Sequence, residues 1–281
     1  MKLYYSNGAC SLSPHIVLRE SGLPFTLVRA NTKTHALDDG TDYYTINPKG
    51  CVPLLELDNG QRLSEGPAIV QYIADQATGK NLAPANGTWE RYRAQEWLNF
   101  ITSELHKGYS PLFRPTTPDE YKTIARDNLM KKYEFVDASL AGKQYLMGDS
   151  FSVPDAYLFT VTNWAKHVGL DLSKFANVGA FMERMAARPA VQAALEAEGL
   201  VKKLGAEFQL TATKPKKEKS RDIKRVEEEL SDLLMAQVDI VVKKRVKRAG
   251  RLEDMGEIVI QFGSLDELNG LIDRLSNQTA R

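Results

Sequence analysis

The sequence predicts a compact α/β unit, an all-α domain and a small appended αββα module in one chain of 281 residues. Three observations predict it. Near the N-terminus, short apolar segments and helical patterns alternate in the order βαβ, then ββα. After Pro84 the apolar residues recur only at helical spacing. Beyond a polar stretch at residues 211–220 (TATKPKKEKS), two alternating apolar segments stand between two helical ones.

Residues 2–5 form the first expected strand. Ser11-Leu12-Ser13-Pro14 then starts a helix that ends at Gly22, with serine as cap and proline suited to the first turn. Residues 25–28 make a second strand, and 30–47 a polar loop with one short helix, stopped by Asn47-Pro48. The segments around Asp58-Asn59-Gly60 read as a hairpin, since Asn-Gly favours tight turns that match strand twist. A helix through Ile69, Tyr72 and Ile73 closes the unit. In the all-α part, Trp97, Phe100, Ile101 and Leu105 share one apolar face. Further helices are expected over 118–140, 153–168, 177–186 and 188–197. Ser152-Val153-Pro154-Asp155 reads as a capping box that starts one of them.

The composition is that of an ordinary globular protein with net charge +1. No apolar run is long enough to span a bilayer, and the N-terminal residues read as a strand rather than a signal peptide. Cys10 and Cys51 are the two cysteines, which argues against a disulfide framework and excludes a four-cysteine metal site. The four histidines are scattered, with no His-x-x-x-His pair, so no metal is expected. The cytoplasm is the expected compartment.

Cys10 stands just before the first expected helix. Unpaired N–H groups and the positive end of the helix dipole favour a thiolate there, lowering the pKa and making the sulfur nucleophilic. A small packing residue is the alternative. Glu65, at the start of a later helix, reads either as a helix-start acid or as a ligand for a cation.

Several separated motifs decide among these readings. They are Met1-Lys2-Leu3-Tyr4-Tyr5, Ala9-Cys10-Ser11-Leu12-Ser13-Pro14-His15, Asn47-Pro48-Lys49-Gly50, Val52-Pro53, Glu65-Gly66-Pro67-Ala68-Ile69, Glu104-Leu105-His106-Lys107-Gly108 and Asp155-Ala156-Tyr157-Leu158-Phe159. In this order and spacing, residues 1–202 resemble a bacterial beta-class glutathione S-transferase. The resemblance implies a thioredoxin-like glutathione-binding domain over 1–80, an all-helical domain over 87–202, a homodimer, and glutathione as co-substrate. It implies Cys10 and His106 as catalytic groups, with Ser11 as a supporting donor and Tyr5 structural. Glutathione would be held by Val52, by Pro53 as a cis-proline, and by Glu65, Gly66, Asn99, Ser103, Glu104 and Lys107. Gly66 stands where the family often has serine, and Cys51 departs from the residue expected beside Val52. Two routes stay open: Cys10 takes glutathione as a mixed disulfide, or it assists ionisation of bound glutathione, which attacks a small electrophile. A thiol-disulfide reductase and a non-catalytic dimeric carrier are the alternatives.

After a linker over 203–218, residues 219–276 form the αββα module. Its residues Arg221-Asp222-Ile223-Lys224-Arg225-Val226, Gly256-Glu257-Ile258-Val259-Ile260-Gln261-Phe262 and Ser264-Leu265-Asp266-Glu267-Leu268 resemble the C-terminal dimerisation domain of ParB-type partitioning proteins. So few core positions call for a partner copy. A basic loop with Lys243, Lys244, Arg245, Lys247, Arg248 and Arg251 either contacts DNA phosphates without reading sequence or is simply solvated. The two resemblances meet abruptly, as in a fusion.

Overall fold

β1 (Lys2–Tyr5) alternates its side chains across the first sheet. Leu3 faces one side with Leu55, while Tyr4 faces the other with Leu54 and Tyr43. The computed structural model describes residues 1–204, 207–210, 238–248 and 251–260, and divides the chain into Met1–Thr211 and Ala212–Arg281.

In the first unit β1 runs parallel to β2 (Thr26–Asn31), which requires a crossover. α1 (Leu12–Ser21) supplies it and ends at Gly22 in the left-handed region. The strand β3 (Ala36–Leu37) and a 3₁₀ turn at Tyr43–Thr45 occupy the region expected to hold a loop and a short helix. β4 (Leu54–Glu56) and β5 (Arg62–Ser64) complete a sheet of order β3-β2-β1-β4-β5. Their hairpin closes with Leu57 N–H on the Gln61 carbonyl and Gly60 N–H on the Leu57 carbonyl, so the connection is wider than a two-residue Asn-Gly turn. Only Gly60 takes positive φ there, at 82°. α2 (Gly66–Gln76) then packs on the sheet beside α1.

The helical part follows as α3 (Trp89–Phe100), α4 (Lys107–Phe113), α5 (Asp119–Leu140), α6 (Val153–Thr162), α7 (Ala176–Ala186) and α8 (Pro189–Ala197). Residues expected to extend α6 form a separate 3₁₀ turn at Ala165–Val168. Between α3 and α4, Ile101–His106 winds as a π-helix, a widening that the apolar spacing did not announce. Thr102 and Ser103 donate their hydroxyls back to Leu98 and Asn99 carbonyls in this segment. One apolar cluster runs from Leu3, Ile16 and Ile73 through Leu105 and Tyr133 to Phe159 and Phe181, joining sheet layer and helices. Each such buried Leu, Ile or Phe contributes roughly 1.5–3 kcal/mol. Arg91, buried on α3, donates two bonds to Asp75 at 2.9 Å and ties α3 to α2.

Residues expected as the start of the linker fold instead: β6 (Val201–Leu204) pairs antiparallel with β7 (Glu207–Leu210), and Val201 is buried. In the second unit β8 (Val238–Arg248) pairs antiparallel with β9 (Arg251–Ile260). This corrects the expected basic loop. Lys243, Lys244, Arg245, Lys247 and Arg248 lie in β8 itself, and Arg251 opens β9. Val242 and Val246 suit the extended backbone, which carries the strand through the basic run with a register shift between Val242 and Lys244. Asp254 stands opposite Arg245, and Glu253 opposite Val246. Phe262 and the two helices of the expected αββα module lie outside the described residues.

Candidate active site at the end of β1

The turn from Ser6 to Ser11 carries the chain off β1 into α1. Ala9 N–H donates to Ser6 carbonyl, and Leu12 N–H to Ala9 carbonyl. Cys10, half-buried, projects from this turn and donates its thiol to the Val52 carbonyl at 3.2 Å. The Val52–Pro53 peptide is cis, in agreement with the expectation for Pro53, and both residues are buried. Thus the segment expected to receive glutathione's backbone already meets the Cys10 thiol.

The expected thiolate is not what this environment favours. Burial pushes the Cys10 thiol up to about 12; the N–H groups of Cys10 and Ser11 and the charge of Lys107 oppose this and lose. The hydrogen bond to Val52 works in the same direction as burial, since it is made by the neutral thiol.

Ser11 is also placed differently from expectation. Its side chain does not cap α1; it is fully buried, accepts from Ser6 N–H at 3.1 Å and donates to Ser6 carbonyl at 3.2 Å. The hydroxyl is spent on holding the turn. Tyr5 is buried against the His15 ring.

His106 stands at the end of the π-helical segment. Its Nδ1 lies 2.6 Å from the Tyr157 hydroxyl and its ring meets Trp164 edge-on at 4.9 Å. Burial holds the imidazole down at about 4, Lys107 adds to the depression, and Glu65 opposes it. Burial raises the Tyr157 phenol, and the proximity of Cys10 and Glu65 raises it further. Both partners are therefore uncharged near neutral pH. The field of Lys107 is felt at Cys10 and His106 alike, which places it at the same cleft.

Glu65 has φ 73°, a left-handed value for a non-glycine residue, which holds it at the start of α2. Its exposed carboxylate pairs with Lys49 Nζ at 2.8 Å. A cationic ligand group there would share or replace that ammonium. Gly66 opens α2, and a Cβ built on it would meet only Pro53 Cγ, at 3.9 Å. Asn99 and Ser103 are exposed and one turn apart, joined by the Ser103 hydroxyl on the Asn99 carbonyl. Glu104 is directed to α5, where Lys132 meets it at 2.7 Å. Cys51 is exposed and donates to the Lys49 carbonyl. Among the described residues no cluster of three or more His, Cys, Asp or Glu could hold a metal, and no helix is long and apolar enough to cross a membrane.

Sequence reasoning assigned no role to Tyr157 or Trp164. The available signal was the composition of α6: it is buried along its whole length, so a tyrosine on it must find a polar partner.

Comparison with known proteins follows the same division of the chain. Residues 8–76 match the family model for the glutathione S-transferase N-terminal domain and 100–189 that for its C-terminal domain. Residues 219–276 match the ParB dimerisation domain. The glutathione S-transferase GstA of Escherichia coli O157:H7 is 52% identical over 201 residues, covering 71% of this chain and 100% of the relative. A beta-class glutathione S-transferase of Sphingomonas chungbukensis superimposes with TM-score 0.70 at 48% identity, over 72% of this chain and 100% of the other. A sphingomonad glutathione S-transferase solved with glutathione gives TM-score 0.69 at 46% identity, over 71% and 100%.

Proposed function

Because the chain belongs to the glutathione S-transferase family, in its bacterial beta class, we propose that this cleft binds glutathione and delivers its sulfur to small electrophiles, with Cys10 as hydrogen-bond donor. The observation that carries the reading is the Cys10 thiol seated on the carbonyl of Val52, at the cis Val52–Pro53 peptide, where burial favours the neutral thiol. The extended glutathione backbone pairs with Val52 in the manner of an added strand. Glu65 takes the γ-glutamyl ammonium, and the Gly66 N–H at the start of α2 takes the adjoining carboxylate. Lys107 supplies positive charge for the glycyl carboxylate.

Once glutathione occupies Val52, the Cys10 S–H turns from the carbonyl to the glutathione sulfur. A donor aimed at that sulfur stabilises its thiolate and so lowers its pKa. The glutathione proton passes to solvent, the thiolate attacks the electrophile, and the electrophile's leaving group departs with its bonding pair. Of the two routes open from sequence, this one needs no ionised Cys10. The disulfide route does, and a pKa of about 12 stands against it.

The test is conjugation of 1-chloro-2,4-dinitrobenzene with glutathione by wild type, Cys10→Ala and His106→Ala. Turnover that falls in both variants supports the cleft. Unchanged turnover in Cys10→Ala overturns its role as donor. Turnover absent from wild type that still binds glutathione favours the carrier, and a mixed disulfide that accumulates on Cys10 in place of turnover favours the reductase.

For the second unit, the ParB dimerisation match and the β8–β9 hairpin support a module that joins two copies of the chain in the cytoplasm. The transferase part forms its own homodimer, so a linker that lets both interfaces close within one pair tightens that pair. The basic run of β8, with Arg251, contacts DNA phosphates; Glu253 and Asp254 opposite it keep that binding weak and salt-sensitive. Mobility shift of a random duplex at low salt, lost at high salt and lost in Lys243→Ala/Lys244→Ala/Arg245→Ala, tests it. No shift at low salt leaves dimerisation as the module's sole work.

A further inference from the structure

We propose that Glu198 is a positioning residue for Cys10: its buried carboxylate, set by His15 and Arg19, fixes the turn from which the thiol projects. The proposal rests on the reading of Cys10 as the group that serves glutathione.

Glu198 follows the end of α8, and its side chain is wholly buried with that of His15. Both carboxylate oxygens are engaged. Oε1 lies 2.8 Å from His15 Nδ1, and Oε2 accepts the Gly8 N–H at 2.8 Å. The Glu198 carbonyl also accepts from Asn7 Nδ2 at 2.8 Å. Behind the imidazole, Arg19 Nε donates to His15 Nε2 at 3.1 Å. A guanidinium can only donate, so Nε2 is the acceptor and the ring hydrogen stands on Nδ1, aimed at Glu198. The result is an imidazole held between a guanidinium and a carboxylate, with both ring nitrogens and both carboxylate oxygens matched.

A tie between α1 and α8 would need only one of these oxygens. The other holds a backbone peptide two residues before Cys10, and the opposite side of Gly8 is held as well: Trp164 Nε1 donates to its carbonyl at 2.9 Å. Trp164 is the residue whose ring meets His106. Gly8 has φ 68°, and a Cβ on it would come 3.3 Å from Leu200 Cδ2, so the peptide fits this clamp as glycine. Cys10 and His106 are thereby referred to one fixed point. Release of the clamp lets the thiol drift, and a displacement of about 1 Å costs on the order of 100-fold in rate.

Glu198→Gln in the full chain tests the geometry. Its amide nitrogen must face either the Gly8 N–H or His15. In the second case the imidazole must turn its hydrogen to Nε2, against the Arg19 N–H. Arg19→Gln answers that clash, since its Oε1 lies as many bonds from Cβ as the arginine Nε and accepts. The expected result is a fall in kcat of roughly 100-fold in Glu198→Gln, with KM for glutathione within about threefold of wild type. Glu198→Gln/Arg19→Gln should recover at least about tenfold of that loss. A kcat within about twofold of wild type in Glu198→Gln overturns the proposal, and so does equal loss in the natively folded double variant. Should neither variant fold, the imidazole ¹⁵N spectrum of unaltered protein decides: hydrogen on Nδ1 of His15 supports the clamp, hydrogen on Nε2 overturns it. Cys10→Ala in the same assay separates the two claims. Wild-type turnover there removes the role of Cys10, while the state of His15 still reports the clamp.

Discussion

The hydroxyl of Tyr157 and Nδ1 of His106 stand 2.6 Å apart, and neither group carries charge near neutral pH. The pair joins the buried helix α6 to the end of the π-helical segment, so His106 is oriented by a residue of a different helix. Tyr157→Phe removes the partner and leaves the ring in place. We expect kcat/KM for conjugation to fall about tenfold, with circular dichroism unchanged. A value within twofold of wild type would leave the hydroxyl no part in the reaction.

The depression of His106 fixes the sign of a pH effect. Its folded pKa, about 4, lies below the unfolded value near 6.5. Between these values the unfolded chain binds a proton that the folded protein excludes. The contribution is therefore fully present above the unfolded value and lost as pH falls through the folded one. Urea denaturation at pH 7 and pH 5 should show wild type losing more stability on acidification than His106→Asn. Equal losses would mean that the imidazole titrates normally in the fold.

Cys10 in the glutathione-free protein should react slowly with iodoacetamide at neutral pH. In Cys51→Ser, where Cys10 is the remaining thiol, the alkylation rate should climb about tenfold per pH unit up to pH 9 without a plateau, because the thiol stays mostly protonated until about 12. A plateau below pH 8 would contradict a neutral donor and favour the disulfide route.

Gly66→Ser tests the position where this chain lacks a hydroxyl. The added Cβ meets only Pro53 Cγ at ordinary contact distance, so the fold should accept it. The hydroxyl would stand at the first residue of α2, where an anion is favoured. KM for glutathione should fall several-fold, by about the ~1 kcal/mol of one net hydrogen bond. An unchanged KM would place the glutathione carboxylate elsewhere.

The parts legible from sequence were those set by local rules. The short apolar segment Leu3-Tyr4-Tyr5, glycine after α1 and the Ser152–Asp155 spacing each name an element without reference to distant residues. The motifs also named Cys10, Val52 and Pro53, which the fold sets side by side. What escaped depends on three-dimensional company. Ser11 looks like a cap and a catalyst by position, yet the bend of its own turn gives its hydroxyl to Ser6. Cys10 sits where a helix dipole should ionise it, but burial outweighs that field. Glu198 is 190 residues from Gly8, a pairing no periodicity reveals. The basic run of β8 read as a loop because charge was weighed above Val246, which continues the strand pattern.

The capping box of α6 offers a measure of stability separate from chemistry. Asp155 is fully buried, and its carboxylate accepts from Ser152 N–H at 2.8 Å, Ser152 Oγ at 2.9 Å and Leu146 N–H at 2.8 Å. All three partners donate, and two of them converge on Oδ2. Asn keeps the shape and can still accept on one side, but its NH₂ then faces the Ser152 donors. Asp155→Asn should therefore cost about 1–3 kcal/mol, the penalty of a buried donor left unmatched. Ser152→Ala should cost about 1 kcal/mol, since it removes one donor and leaves the carboxylate two N–H partners. Urea midpoints of both variants check the order. If Asp155→Asn were the milder change, water rather than the carboxylate would have to satisfy Ser152 N–H, and α6 would not owe its start to this residue. A shifted start of α6 would also move Tyr157 against His106, so the more damaging variant should lose turnover as well as stability.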